Sequence, residues 1–401
     1  MFGSTEKVAH SLPIKTVGII GGGQLGKMLT LKAKEMGLRI IALDKDPSCP
    51  VSSICDELIV GSLYDKEKLL ELAKKSDVVT YEIEHTDTET LKCIEQEGIN
   101  ILPSPALLEL INDKLKQKVH LISHGIPTSK LICEVSKEET VAYKSKRKQL
   151  PQFPLVQKAR KGGYDGRGVA VIRNENDLHK VLETDSFFEE FIEIEKEIAV
   201  LVARDLEGNV ESYPVVEMVF DSRSNILDML ISPARIPEEI SEKAKRIAFD
   251  VINSFVLSNL KAVGVFAIEM FLTKSGDILV NEIAPRVHNS GHHTIESCYT
   301  SQFEQHLRAI AGLPLGSTKQ HSPAVMINLL GEPGYYGKPA IVGLEEILRT
   351  DGAYLHWYGK STTGPFRKMG HVTIIDESLD SAIGKAKRLK DSVKIISEGS
   401  E

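Results

Sequence analysis

The segment Val263–His292, VGVFAIEMFLTKSGDILVNEIAPRVHNSGH, constrains the fold of this 401-residue chain more than any other. Apolar residues alternate up to Phe271, the pattern breaks at Lys274-Ser275-Gly276-Asp277, and an apolar run continues to Ile283. Two strand-like runs about a short polar break containing glycine spell a β-hairpin. A loop closing symmetrically about Ser275-Gly276 sets Thr273 opposite Ile278, Phe271 opposite Val280 and Glu269 opposite Glu282. Two carboxylates facing each other on a sheet repel unless a cation lies between them, and hard oxygen ligands suit Mg²⁺. Two other outcomes stand beside this one: glutamates exposed on a solvated face, or a three-residue loop that shifts the register and undoes the pairing. Past the hairpin come Arg286, His288, Asn289 and His292, a polar loop with little to gain from burial.

The first hundred residues carry a different pattern. A β-branched run, Lys15 to Ile20, enters Gly21-Gly22-Gly23-Gln24-Leu25-Gly26, and an apolar helical face follows through Leu25, Met28, Leu29, Ala33 and Met36. Gly37 ends that helix, and Leu38 to Leu43 reads as the next strand, closing at Asp44. Strand, G-x-G-x-x-G, helix and an acid about 20 residues on is the dinucleotide fingerprint. The same loop has a second use, because free amides at a helix N-terminus bind any phosphate. Alternation continues with a helix near Asp65–Lys74, a strand at Val78–Tyr81, a helix near Thr88–Gln96 and a strand at Ile99–Leu102, which predicts a doubly wound parallel sheet. Thr80-Tyr81-Glu82-Ile83-Glu84-His85 then places acids at the sheet edge where ligands of such folds sit, and Glu82 there is either a ribose ligand or a solvated loop acid.

At this length two or three domains are expected. The net charge of −7 argues against a general nucleic-acid or membrane-surface partner, while leaving room for local phosphate sites. Cys49, Cys55, Cys93, Cys133 and Cys298 form no CxxC and read as reduced cytosolic thiols in a chain without a signal peptide, so a cytoplasmic location is expected. No apolar run reaches membrane-span length. Residues 1–13 are polar and patternless, a flexible extension.

The middle of the chain offers a second phosphate site. Leu108 to His124 reads as one long helix whose Lys114, Lys116 and Lys118 are mostly surface charges. Between strands at Pro154–Lys158 and Val169–Ile172 lies Ala159-Arg160-Lys161-Gly162-Gly163-Tyr164-Asp165-Gly166-Arg167-Gly168. Glycines and cations at this density make a flap whose amides nest around an anion, although without the GK[ST] ending of a P-loop. Phe187–Ile192 reads as a short strand crossed by acids, Ile198–Ala203 and Glu211–Val219 as further antiparallel strands, and Glu238–Val256 as a helix.

Four stretches together resemble one family. GGGQLG at 21–26, GGYDGRG at 162–168, NEIAPRVHNSGH at 281–292 and RKMGH at 367–371 are similar to 5-(carboxyamino)imidazole ribonucleotide synthases of the ATP-grasp superfamily, collinearly from about Thr16 to Lys394. The resemblance implies α/β and α+β architecture: a Rossmann-like domain at 14–112, an ATP-grasp domain with its glycine flap at 113–315, and a small C-terminal domain at 316–401. It implies a ligase that consumes ATP and bicarbonate to carboxylate 5-aminoimidazole ribonucleotide, with Mg²⁺ or Mn²⁺, in a homodimer that has a separate mutase as functional partner. Relatives fused to a mutase carry a following half that this chain, stopping at Glu401, does not show.

By the same resemblance, Gln24, Leu25, Glu82, Tyr164, Asp165, Arg167, Lys360, Arg367 and Lys368 would bind the ribonucleotide. ATP would fall to Lys114, Lys158, Gly163, Gly166, Gly168, Glu189, Glu190, Phe191, Ile192, Glu197 and Asn281. Glu269 and Glu282 would carry the metal, and Arg286, His288 and Asn289 would surround the bicarbonate-derived group. The segment Gly364-Pro365-Phe366 departs from the family pattern, with one cation absent and Phe366 where a small residue is usual. A formate-dependent glycinamide ribonucleotide transformylase and an NAD(P)-dependent oxidoreductase are the competing readings.

Overall fold

The structure, a computed structural model, describes residues 14–163, 168–220 and 226–399. Tyr164, Asp165, Gly166 and Arg167, and the extension 1–13, lie outside the described residues.

Five parallel strands open the chain, in the spatial order Glu57–Val60, Arg39–Asp44, Thr16–Ile20, Val78–Tyr81, Asn100–Ile101. Glu57–Val60 escaped the sequence reading because half its residues are only partly covered at the sheet edge. The central strands are apolar on both faces, as a parallel sheet wrapped by helices requires. Val17 and Ile19 pack with Leu25 and Leu29 on one side, and Ile20, Ile41 and Leu43 pack with Leu69, Leu72 and Leu91 on the other. The strand order reverses at Thr16–Ile20, so the glycine loop and Glu82 emerge together at the ligand edge of the sheet.

The predicted single helix at Leu108–His124 is two, Pro105–Asn112 and Lys114–Ser123. Asp113 breaks it: its backbone is extended, and its carboxylate caps the second helix by accepting from the amides of Leu115 and Lys116. That carboxylate also holds the Arg160 guanidinium, with Oδ2 2.6 Å from Nη2. The break swings Lys114 and Lys118 onto an inward face, and Lys118 is buried instead of solvated.

An antiparallel four-stranded sheet (Leu131–Val135, Ser186–Glu190, Leu155–Ala159, Val169–Ile172) carries the glycine flap between its last two members. A helix, Lys137–Lys144, started by a Ser136/Glu139 capping box, follows the first of these strands. Beside it runs a nine-stranded sheet, in the order Ile278–Ala284, Gly264–Thr273, Ile194–Arg204, Val216–Phe220, Leu227–Ser232, Ala324–Leu330, Lys368–Ile375, Ala353–Trp357, with Val210–Ser212 alongside Ile194–Arg204. The run Glu211–Val219 is thus two strands rather than one. The helix Glu238–Leu257 lays Ala248, Val251, Ile252 and Phe255 on Val200, Val202, Phe266 and Ile268. Truncating the fully buried Phe255 to alanine would cost roughly 3–5 kcal/mol.

The last strands belong to this sheet rather than to a separate one: Leu227–Ser232 pairs with Ala324–Leu330, which pairs with Lys368–Ile375. Helix Leu379–Ser392 covers their outer face through Ala382, Ala386 and Leu389. Continuity of the sheet fixes Lys368 relative to the hairpin, and the Lys27 ammonium ties the first domain to the same region through the carbonyls of Trp357 (2.9 Å) and Tyr358 (3.1 Å).

Candidate active site

The hairpin Gly264–Thr273/Ile278–Ala284 does place Glu269 opposite Glu282, but by a different route from the symmetric loop. Leu272 pairs with Ile278, Phe271 with Leu279 and Met270 with Val280, the one-residue shift of a three-residue loop. A β-bulge between Met270 and Glu269 then absorbs Asn281 and restores the glutamate pairing. Two bulge residues oppose one partner and bend toward the same side, and Asn281 and Glu282 are accordingly both half-covered where strict alternation would bury one. Their partners agree: Lys158 Nζ lies 2.7 Å from Asn281 Oδ1, and Lys114 Nζ 2.9 Å from Glu282 Oε2.

Burial, and then the facing carboxylates of Glu282 and Glu197, push Glu269 up to about 8. Burial likewise raises Glu197 to about 7. Carboxylates this reluctant to ionise together are a place for a cation. Among the described residues no group of three His, Cys, Asp or Glu side chains forms a metal cluster. Two glutamates and an amide oxygen suit Mg²⁺, which takes its remaining ligands from phosphates and water, and Mn²⁺ accepts the same oxygen donors.

Behind this pair sits a buried ionic clamp. Glu189 stands between Lys158 (2.7 Å) and Lys118 (2.8 Å), and Lys118 also donates to Thr128 Oγ1 and Ser129 Oγ, each at 2.7 Å. Burial opposes the charge on Glu189, and the two lysines outweigh it, so its carboxyl stays below the ordinary range. The carboxylates of Glu189 and Glu190 are therefore both engaged, since Glu190 Oε1 accepts from the Lys130 amide at 2.7 Å. Phe191 and Ile192 follow the strand end, and the Arg173 guanidinium lies over the Phe191 ring at 4.7 Å. A small cavity bounded by Lys114, Lys118, Lys158, Phe187, Asn281 and Glu282 opens at this place. At the flap, Gly168 has φ +87° and its carbonyl accepts from the Ala159 amide at 2.8 Å, while Gly163 is half-covered.

The glycine loop at 21–26 is tied down by carboxylates, which speaks against the dinucleotide reading. Asp44 accepts from the Gly22 amide at 2.7 Å, and Glu82 accepts from the amides of Gly23 (2.8 Å) and Gly26 (3.3 Å). Carboxylates thus occupy three of the loop amides, and Asp44 is spent on the Gly22 amide rather than left for a ribose. A side chain at Gly23 would meet Glu82 Oε1 at 2.7 Å, which accounts for the glycine. Glu82 is buried, so its part in the site begins as a latch on the loop that presents Gln24 and Leu25. Leu25 itself packs in the core and Gln24 stands half-covered at the helix start.

The loop after the hairpin is folded inward, contrary to the expectation of a polar exposed segment. Arg286 Nη2 pairs with Glu84 Oε1 at 2.7 Å. Burial works against its charge, and Glu84, Glu82 and Glu282 outweigh it and raise its pKa. Arg286 thus feels carboxylates from both the first domain and the hairpin. The Ser290 amide donates to His288 Nδ1 at 3.3 Å, which leaves the ring proton on Nε2, 3.7 Å from Glu269 Oε1. Burial, Arg286 and Lys368 hold His288 neutral, far below the usual imidazole range. Asn289 is buried and donates to Asn328 Oδ1 at 3.2 Å, while its own Oδ1 is without a hydrogen-bond partner.

From the far side, Lys360 donates to the Lys368 carbonyl at 2.7 Å, and the exposed Arg367 donates to Thr362 O at 2.8 Å. Lys368 is close enough to act electrostatically on both Glu269 and His288. Sequence reasoning passed over Lys118, Glu84, Gln302 and Asn328. The four-residue step from Lys114 to Lys118 was a usable signal for the first.

Three family descriptions match in succession: a ribonucleotide synthetase preATP-grasp domain over residues 14–112, an ATP-grasp domain over 119–303, and a phosphoribosylaminoimidazole carboxylase C-terminal domain over 324–385. The chloroplastic phosphoribosylaminoimidazole carboxylase of Vigna aconitifolia is 39% identical over 96% of this chain, which spans 67% of that relative. The N5-carboxyaminoimidazole ribonucleotide synthase of Bacillus subtilis is 37% identical, the match covering 92% of this chain and 94% of that one. The crystal structure of the N5-carboxyaminoimidazole ribonucleotide synthetase of Thermotoga maritima is 51% identical with a TM-score of 0.85, over 96% and 100% of the two chains. A synthase from Aspergillus clavatus, solved with ADP and 5-aminoimidazole ribonucleotide, is 33% identical with a TM-score of 0.84, over 95% and 99%. The three matched domains follow one another in this order, the Bacillus subtilis synthase and the Thermotoga maritima synthetase are matched nearly end to end, and the chain belongs to the N5-carboxyaminoimidazole ribonucleotide synthase family of ATP-grasp ligases.

Proposed function

We propose that this chain uses ATP and bicarbonate to carboxylate the amine of 5-aminoimidazole ribonucleotide, releasing ADP and phosphate through carboxyphosphate. The carrying observation is the position of Arg286, which interacts with Glu82 and Glu84 on the ribonucleotide side and with Glu282 on the ATP side. A guanidinium fork held there matches a planar carboxylate lying between the two substrates.

Bicarbonate is a poor electrophile, so one of its oxygens attacks the γ-phosphorus while the bond from that phosphorus to the ADP oxygen breaks. The ribonucleotide amine then attacks the carboxyl carbon, the carbon–oxygen bond to phosphate breaks, and the nitrogen gives up a proton. Phosphate departs carrying one bicarbonate oxygen. Lys114 and Lys158 neutralise the phosphates beneath the flap glycines Gly163 and Gly168, Phe191 and Ile192 take the adenine, and Glu197 the ribose. Glu269 and Glu282, with Asn281 beside them, hold Mg²⁺ or Mn²⁺, which supplies charge neutralisation across the phosphates when bound. Held neutral with its proton on Nε2, His288 serves as a hydrogen-bond donor to the carboxyl group, beside Asn289. Gln24, Leu25 and Glu82 set the ribonucleotide, and Lys360, Arg367 and Lys368 take its phosphate.

The test is oxygen transfer. With [¹⁸O]bicarbonate, the account expects one labelled oxygen per phosphate formed in the presence of 5-aminoimidazole ribonucleotide. Unlabelled phosphate released stoichiometrically with the carbamate would sink the carboxyphosphate route.

A further inference from the structure

Two motif histidines, His292 and His371, are left without a task by the chemistry above, and they meet in the core. His356 and His371 are cross-strand partners, their rings stacked at 4.4 Å with planes 10° apart. His292, from the loop after the hairpin, continues the stack on His371 at 4.6 Å and 26°. Polar partners pin each ring. Glu296 Oε1 lies 2.7 Å from His356 Nε2, the Tyr358 hydroxyl 2.9 Å from His371 Nδ1, and Gln302 Nε2 3.3 Å from His292 Nδ1.

Gln302 links this column to the catalytic loop. Its Oε1 accepts from the His288 amide at 2.9 Å and its Nε2 donates to the His288 carbonyl at 2.7 Å. Those two bonds fix which way the amide faces, so His292 Nδ1 must accept from it and carry its proton on Nε2. A Cβ at residue 291 would stand 2.3 Å from Gln302 Oε1, so Gly291 is what lets the clamp close.

We infer that His292, His371 and Gln302 are positioning residues for carboxylation: the stack transmits the setting of strand Lys368–Ile375 to His288. The inference rests on the roles given above to Lys368, at the head of that strand, and to His288. An aliphatic side chain of similar volume fills the space but does not keep two flat neighbours in register, and His288 Nε2 then drifts from the reacting group. Misplacement of this kind costs roughly tenfold to a hundredfold in rate with little effect on ATP binding.

The experiment compares full-length wild type, His371→Leu, Gln302→Leu, and the aromatic pair Tyr358→Phe/His371→Phe, which keeps the stack without its polar link. Thermal melting and ADP binding establish that each variant is folded. Turnover at saturating substrates, the KM for ATP, the ratio of carbamate to ADP, and the ¹⁵N imidazole resonances of His288 are then read. His371→Leu and Gln302→Leu are each expected to lose about tenfold or more in kcat, with an unchanged KM for ATP, a lower carbamate-to-ADP ratio and shifted His288 resonances. The aromatic pair is expected to stay within about threefold of wild type, because the ring planes persist. Should His371→Leu fail to fold, Gln302→Leu carries the test alone. Folded leucine variants with wild-type kcat and unshifted His288 resonances would overturn the inference, as would an aromatic pair impaired as severely as His371→Leu. A wild type that forms no carbamate would refute the functional reading instead, and the His288 resonances would still report on the coupling.

Discussion

Replacing Glu189 by glutamine removes one charge from the most enclosed ionic group of the site. Side-chain exposure is 3% for Glu189, 3% for Lys118 and 9% for Lys158, so water cannot take over the neutralising role. Deleting one partner of a buried pair costs about 3–5 kcal/mol because the other charge is stranded. Here two ammoniums are stranded, yet each keeps other acceptors: Thr128, Ser129 and its carbonyl for Lys118, Asn281 for Lys158. These hold the expected loss near the lower figure, about 3 kcal/mol. Urea unfolding of wild type and Glu189→Gln, with and without ADP, measures it. ADP is expected to stabilise the variant more than the wild type, since a phosphate then supplies the missing negative charge at Lys158. A loss below about 0.5 kcal/mol, the range of ordinary surface changes, would refute the argument that Glu189 neutralises the lysine pair.

Three further outcomes are expected. Arg286→Ala should lower carboxylation by about a hundredfold, the scale of losing one aligned charge donor, while calorimetric ADP binding stays near normal; unchanged turnover would remove Arg286 from its role. Gly291→Ala should lose about 1–3 kcal/mol by overpacking and lower kcat through the displaced Gln302, both read from melting curves and steady-state rates. Burial lowers His292, His293, His306 and His371, His306 from 6.5 to about 4, so the folded protein binds fewer protons than the unfolded chain below pH 6.5. Their contribution is complete above 6.5 and lost as pH falls toward 4, each adding up to about 1.4 kcal/mol per pH unit. Unfolding midpoints measured between pH 7.5 and 4.5 should fall on the acid side, and a flat profile would contradict the burial of these rings in their neutral form.

The doubly wound first domain was legible because period, glycine and strand length agree there at every step. The opposition of Glu269 and Glu282 was reached through a symmetric loop, whereas the protein uses a three-residue loop and a bulge at Asn281 that cancel. No pattern of apolar residues marks a bulge whose extra residue is polar and faces a cleft. The use of the glycine loop was hidden for a different reason. Two of its amides are taken by Glu82, a residue 59 positions from Gly23, and only the folded sheet brings them together. Lys118 looked like a surface lysine because its partner Glu189 lies on a strand 71 positions further along the chain, and Arg160 holds the Asp113 carboxylate at the break that turns it inward. Gln302 carries no sequence signal, since its clamp on His288 uses only backbone groups of the loop.

The most direct test of the account is ADP release from Mg²⁺-ATP and bicarbonate, with and without 5-aminoimidazole ribonucleotide. The account expects release to rise strongly with the ribonucleotide and to need bicarbonate for one carbamate per ADP. ADP release that ignores the ribonucleotide, or that responds instead to glycinamide ribonucleotide and formate, would contradict it.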